Sequence, residues 1–155
     1  MKNFRKVAAV ILAVAFVCVL AFSLVACADK GTDYEKTITI VIGEGENQMV
    51  FADYKTGSKY LFDAINELSN RETEPLTLKG SWTQYGLFVS AIGNIEADPL
   101  TQYVCVMTND TDYQDTTNWA VTKTYGEITV VSSTLGVSSL PLKDGAVYMF
   151  AIVGF

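Results

Sequence analysis

Histidine is absent from this chain, and its 155 residues include only three cysteines and three prolines. Without histidine there is no Ser-His or Cys-His pair, and the side chain that most often moves protons or binds metal near neutral pH is missing. No spacing of lysines or carboxylates singles out a catalytic pair, so no catalytic residue, no resident metal and no cofactor are expected. Basic residues are also scarce, with 11 Lys and Arg against 17 Asp and Glu and a net charge of −6. Three of the basic residues, Lys2, Arg5 and Lys6, stand at the very start, where no acid accompanies them. The remainder is therefore more acidic than the whole, and like-charge repulsion disfavours DNA, RNA and anionic head groups as partners.

What the chain has instead is one long apolar run, from Val7 to Phe22, following the basic start and ending in Ser-Leu-Val-Ala-Cys. A basic segment, an apolar stretch and small residues are the layout of a secretory signal. Leu24, Val25, Ala26 and Cys27 resemble the lipobox of bacterial lipoproteins, in which a small residue lets a signal peptidase cut ahead of a cysteine that carries the lipid. A retained transmembrane span is the alternative, since the run approaches the ~20 residues needed to cross a bilayer. A retained span would not require a cysteine at that spot. Two acyl chains hold a protein to a membrane stably where one does so only marginally. The expectation is a signal peptide over 1–26, a lipidated Cys27 opening a flexible tether over 27–36, and a domain over 37–155 on the outer face of the cell membrane.

The cysteines agree with this reading. Cys18 leaves with the signal and Cys27 is acylated, so Cys105 remains alone and no intramolecular disulfide can form. Within Gln-Tyr-Val-Cys-Val-Met-Thr, Cys105 reads as a small core residue. A reactive thiol would want a cationic neighbour to lower its pKa.

The pattern from Lys36 onward is mainly β. Ile38, Ile40 and Ile42 alternate with Thr37, Thr39 and Val41, Gly43 to Glu46 supply a turn, and Met49 to Tyr54 return as a second strand. One helix is expected next, with Ser58 as N-cap, Leu61, Ile65 and Leu68 as its apolar stripe, and Asp63 and Glu67 on the other side. A helix with a single stripe needs a sheet to lie on. Further strands follow in Leu76–Trp82, Tyr85–Ile95 and Thr101–Asn109. A hairpin turns at Tyr125-Gly126, and a last strand runs over Ala146–Val153. The fold class is α+β.

Several of these segments resemble a bacterial surface-domain family known only as a domain of unknown function and similar to the C-terminal domain of transcobalamin. The resemblance is carried by Tyr85-Gly86 leading to Ile92-Gly93-Asn94-Ile95, by Tyr103 to Asn109, by the Lys143-Asp144-Gly145 turn and by the helix Lys59–Leu68. It covers about residues 37–155. It implies a β-grasp-like mixed sheet packed on one helix, and by analogy with transcobalamin a corrinoid-like or other small-molecule ligand. The chain departs from the family where Asn109-Asp110 replaces an Asn-Gly turn and a hairpin-bearing insertion runs to Leu135. That insertion is expected to cover one apolar face of the sheet.

Two constellations read as structural. Asp110, Asp112 and Asp115 alternate in one loop, but the glycine and glutamate of a calcium loop are missing, so a solvated acidic turn is expected. Gly43 to Asn47 leads into a strand and offers carboxylates, which makes it a turn and not a phosphate cradle. Trp82, Tyr85, Tyr113 and Trp119 are the candidate binding surface, each at a strand end or in a loop, with core plugging as the rival role. The expected function is a non-catalytic ligand-binding domain anchored to the membrane, or else a protein–protein adaptor of a surface complex. A pocket edged by Trp82 or Trp119 favours the ligand, and a bare strand edge or aromatic patch favours the adaptor. The domain is expected to be monomeric.

Overall fold

The structure is a computed structural model that describes residues 35–155. The expected signal segment with Leu24, Val25 and Ala26, the lipidated Cys27 and nearly all of the tether lie outside the described residues. Nine strands and one helix follow in the order β1 (Lys36–Ile42), β2 (Met49–Thr56), α1 (Leu61–Ser69), β3 (Leu78–Thr83), β4 (Gly86–Ile92), β5 (Ile95–Glu96), β6 (Gln102–Thr108), β7 (Thr122–Tyr125), β8 (Ile128–Ser132) and β9 (Val147–Gly154). Six strands form one mixed sheet in the order β2-β1-β9-β6-β8-β7, in which β1 and β9 run parallel. β3, β4 and β5 leave it to form a separate antiparallel sheet. The fold is α+β, with one helix against the larger sheet.

Side-chain parity explains the layering. Along a strand, alternate residues face opposite sides, and the register places even-numbered residues of β1, β6 and β9 together. Ile38, Ile40, Ile42, Val104, Tyr148 and Phe150 join the helix stripe of Leu61, Ala64, Ile65 and Leu68 in one apolar cluster. The odd-numbered Val41, Cys105, Met107, Val147, Met149 and Ala151 form a second cluster on the far face. Both faces of the central strands are therefore buried, each large side chain contributing about 1.5–3 kcal/mol. Tyr148 is admitted to this core because its hydroxyl is satisfied. It accepts from the Lys143 N–H at 2.8 Å and donates to the Pro141 carbonyl at 3.1 Å, and burial pushes the phenol up to about 12.

The far face is covered in part by the insertion. β8 pairs with β6 only at Met107 and Thr108, so the β7–β8 hairpin joins at the sheet's edge. The sheet then curls, bringing Val121, Tyr125 and the fully buried Val130 onto the second cluster. Lys123 of β7 reaches Glu44, in the turn between β1 and β2, at 3.0 Å.

Helix α1 begins differently from the sequence expectation. Its N-cap is Tyr60 and no side chain caps it. The first two helical N–H groups are taken by backbone, Leu61 by the Leu140 carbonyl at 2.9 Å and Phe62 by the Val137 carbonyl at 3.0 Å. A cap hydroxyl is unnecessary once the turn at residues 137–140 supplies the acceptors. Ser58 instead donates to Glu67, at 2.6 Å. At the opposite edge, β2 carries a bulge in which Ala52 and Asp53 oppose Thr39, with Asp53 at φ 50. Such a bulge blunts an otherwise open edge strand.

Candidate functional site

The β3–β4 hairpin holds two of the four aromatic residues singled out above. Thr83 and Gly86 close a two-residue tip, Gln84-Tyr85. The Thr83 hydroxyl donates to the Gly86 carbonyl at 2.9 Å and accepts the Tyr85 N–H at 3.1 Å. Gly86 occupies φ 108, a conformation costly for any side chain. Tyr85 is 85% exposed at this tip and Trp82 is 64% exposed on β3. Trp82 sets its edge against Phe62 of α1, with ring centroids 5.5 Å apart. Phe88, 53% exposed on the opposite hairpin face, belongs with them. Sequence reasoning overlooked Phe88, although its alternation with Leu87 and Val89 carries the signal.

The other two aromatics do not join this set. Tyr113 is half-buried, its ring packed beside the helix-side core and away from the hairpin tip. Trp119 is 88% exposed in the loop before β7 and stacks with no other ring among the described residues. It does not plug the core.

The acidic loop is not the solvated turn expected. The Asp110 side chain is buried, and Lys143 Nζ lies 2.7 Å from its Oδ1 and 3.4 Å from Asp112 Oδ2. The chain thus brings its own cation to the two carboxylates. The Asp110 hydrogen bond holds the Lys143 ammonium above the usual lysine range, against partial desolvation. Asp115 accepts the Thr117 N–H at 2.8 Å in a local turn. Among the described residues, no three His, Cys, Asp or Glu side chains gather as a metal-binding group.

Cys105 is buried and unpaired. Burial pushes its thiol up to about 11, with Lys123 opposing the shift and Asp115 adding to it. That is the environment of a core residue.

A polar fastening joins β2 to α1. Glu67 accepts hydroxyls from Tyr54 at 2.8 Å, Thr56 at 2.7 Å and Ser58 at 2.6 Å. Desolvation works to raise this carboxyl, yet the three hydroxyl bonds and Arg71 outweigh it and hold it below the usual range. The Arg71 guanidinium lies 5.0 Å from the Tyr54 ring centre and 5.8 Å from that of Phe51.

Beside that fastening is an apolar groove of about 550 Å³. Met49, Val50 and Phe51 of the β2 edge form one wall, Pro75 and Leu76 the other, and Asn94 closes an end. Asn94 is fixed by donating to the Asn47 carbonyl at 2.6 Å. Small-molecule sites span about 300–1,000 Å³, so this groove is large enough. A crevice between β4 and β6 is not, at about 210 Å³. A depression of about 540 Å³ beside β7 is polar and holds the Glu44–Lys123 pair. One of about 670 Å³ lies under the aromatic tip, between Tyr85, Phe88 and Leu135. Neither tryptophan lines any of the four.

No protein-family profile matches the chain. No curated protein matches it either. Among solved structures it is similar to one from Ruminococcus gnavus, described as a "putative metal binding protein". The two are 19% identical, with a TM-score of 0.52, over 78% of this chain and 99% of that one. At that identity the likeness establishes a common fold.

Proposed function

We propose that this chain is a lipid-anchored extracytoplasmic protein whose single domain binds a small, largely apolar molecule in the groove beside β2, without transforming it. The groove carries the proposal: its size suits a small ligand, its walls are apolar, and Asn94, Thr77 and Glu74 supply a few polar groups around it. The anchor rests on the match of the basic start, the apolar run and Leu24-Val25-Ala26-Cys27. The finer architecture proposed is β-grasp-like, as in the transcobalamin C-terminal domain. It draws support from a leading hairpin, a helix across the sheet, and a last strand parallel to the first. A corrinoid draws none from the geometry, since the four depressions described above are open and neither tryptophan lines one of them. Nor does the metal-binding description of the structural relative transfer readily, because Lys143 occupies the carboxylates of the acidic loop.

The test is a ligand-observed NMR screen of apolar small molecules, repeated on Met49→Glu. Met49 lines the groove and is 36% exposed, so the variant keeps its fold while placing a charge at the wall. Hits should weaken by tenfold or more, about 1.4 kcal/mol. Hits that bind the variant equally well would move the site elsewhere. A second reading, an adaptor for an extended peptide, is favoured by the short edge of β2 at Met49–Phe51, ahead of the bulge and along the same groove. Crosslinking at Met49 in native membranes to a protein strand, with no small-molecule hit, selects it.

A further inference from the structure

We propose that the end of the domain where β1 begins rests on the membrane, with Trp82, Tyr85 and Phe88 seated in the lipid headgroup layer; this rests on the reading of Cys27 as the lipidated residue. Contacts trace which residues share that end. Lys36 opens β1, and its ammonium donates to the Ser58 carbonyl at 3.2 Å. The Leu142 N–H reaches the Lys59 carbonyl, and the first turn of α1 meets the backbone of Val137 and Leu140. Ser138 next touches the hairpin, its hydroxyl 3.3 Å from the Leu87 N–H. Phe62, in that same first turn, packs on Trp82. The start of β1, the start of α1 and the aromatic tip are thus at one end. Gly93, at the far end of β4, lies instead against Ile42 at the far end of β1.

Three features point this end at lipid. The first is reach. Eight residues separate Cys27 from Lys36, and the nine steps between them span at most about 30 Å in any conformation, whereas a compact domain of this size is roughly 35 Å across. A tether shorter than the domain's own width rules out any arrangement with the β1 entrance at the point farthest from the membrane. The second is charge. At the near end Lys36, Lys55, Lys59 and Lys143 nearly offset Glu35, Asp63, Asp110, Asp112 and Asp144, and no charged residue occurs between Gly80 and Ile95. The far end carries Glu44, Glu46, Glu72, Glu74, Glu96 and Asp98 against Arg71, Lys79 and Lys123, an acidic excess that an anionic lipid surface repels. The third is the shape of the aromatic display. Trp82 and Phe88 project from opposite faces of the hairpin and Tyr85 from its tip. A hairpin docked on a protein would bury one face, while rings on every side suit an element surrounded by headgroups, where Trp and Tyr are favoured. The groove beside β2 then opens at the end away from the membrane.

The experiment uses the full chain, expressed where it is processed, purified with its acyl groups and reconstituted in vesicles of phosphatidylcholine and phosphatidylglycerol. Trp119→Phe leaves Trp82 as the mature protein's only tryptophan. Its emission should shift to the blue and be quenched by lipids brominated near the headgroup, and both effects should vanish in Trp119→Phe with Tyr85→Asp and Phe88→Asp. An acylated chain whose Trp82 emission is the same with and without brominated lipid overturns the inference, as does crosslinking of Trp82 to a protein without quenching. The mass of the N-terminal peptide reports separately on Cys27: an unmodified Cys27 defeats the anchor reading itself.

Discussion

Lys143 shows how one residue can settle the character of a loop. A buried carboxylate left without a partner is destabilising, and Asp110 has its partner in Lys143 Nζ, 2.7 Å away. The alternation of Asp110, Asp112 and Asp115 is visible in sequence, but the residue that neutralises two of them lies more than thirty positions later. Only the fold joins them. Trp119 is the opposite case: a residue whose type suggests burial, yet which is 88% exposed. Trp119→Ala should leave the melting transition within about 0.5 kcal/mol of the parent, as exposed substitutions do. A loss of 3 kcal/mol or more would restore the core-sealing role. Cys105, correctly legible from its apolar neighbours, yields a second expectation. With its thiol pushed up to about 11 and buried, it should resist maleimide at pH 8 in the native protein and react promptly in urea. Rapid labelling without denaturant would show that the sheet edge opens.

At the scale of elements, strands and hairpins were the most legible, because apolar alternation and glycine turns are local signals. β1, β2 and the β7–β8 hairpin fall where the pattern places them. The position of α1 was legible too, but not how its ends are satisfied. Ser58 had the composition of a cap, while the actual acceptors are carbonyls of residues 137 and 140, distant in sequence. Glu67 was read as a solvent-side residue, and it is the acceptor that ties α1 to β2. Glu67→Gln should destabilise the domain by about 1 kcal/mol at neutral pH, a figure discounted for solvent exposure. Because the folded carboxyl is held below its ordinary value of 4.5, its contribution is present above that value and is lost as pH falls through the folded pKa. Denaturant melts of the two proteins should therefore converge in acid. A difference that persists unchanged at pH 3 would assign the effect to shape instead of charge.

At the scale of the molecule, β6 and β9 present apolar residues on both faces and so need two covers. α1 is one. The other is the curled edge, where Val130 is fully buried against Cys105, Met107 and Met149. The departure of β3, β4 and β5 into their own sheet was not legible, since alternation shows that a strand exists but not which sheet it joins. The groove shares this limit, being assembled from β2, the segment after α1 and the β4–β5 turn.

The two covers make a last prediction possible. No residue of β7 or β8 belongs to the helix-side cluster, and β8 meets β6 through only two residue pairs. The hairpin should therefore detach before the helix-side core melts. Val130→Asp places a carboxylate in the second cluster, at a cost of several kcal/mol if it stays there. Releasing the hairpin costs less, because it sacrifices the packing of Val121, Tyr125 and Val130, the two-pair ladder to β6 and one partly exposed ion pair, Lys123–Glu44. The variant should keep most of its far-ultraviolet circular dichroism and a cooperative melt, while Cys105 becomes reactive to maleimide and an apolar dye binds the uncovered face. Complete unfolding of Val130→Asp at room temperature would show instead that the hairpin and the helix-side core stand or fall together. Separate behaviour would mean that the insertion protects a sheet already stable on its helix side.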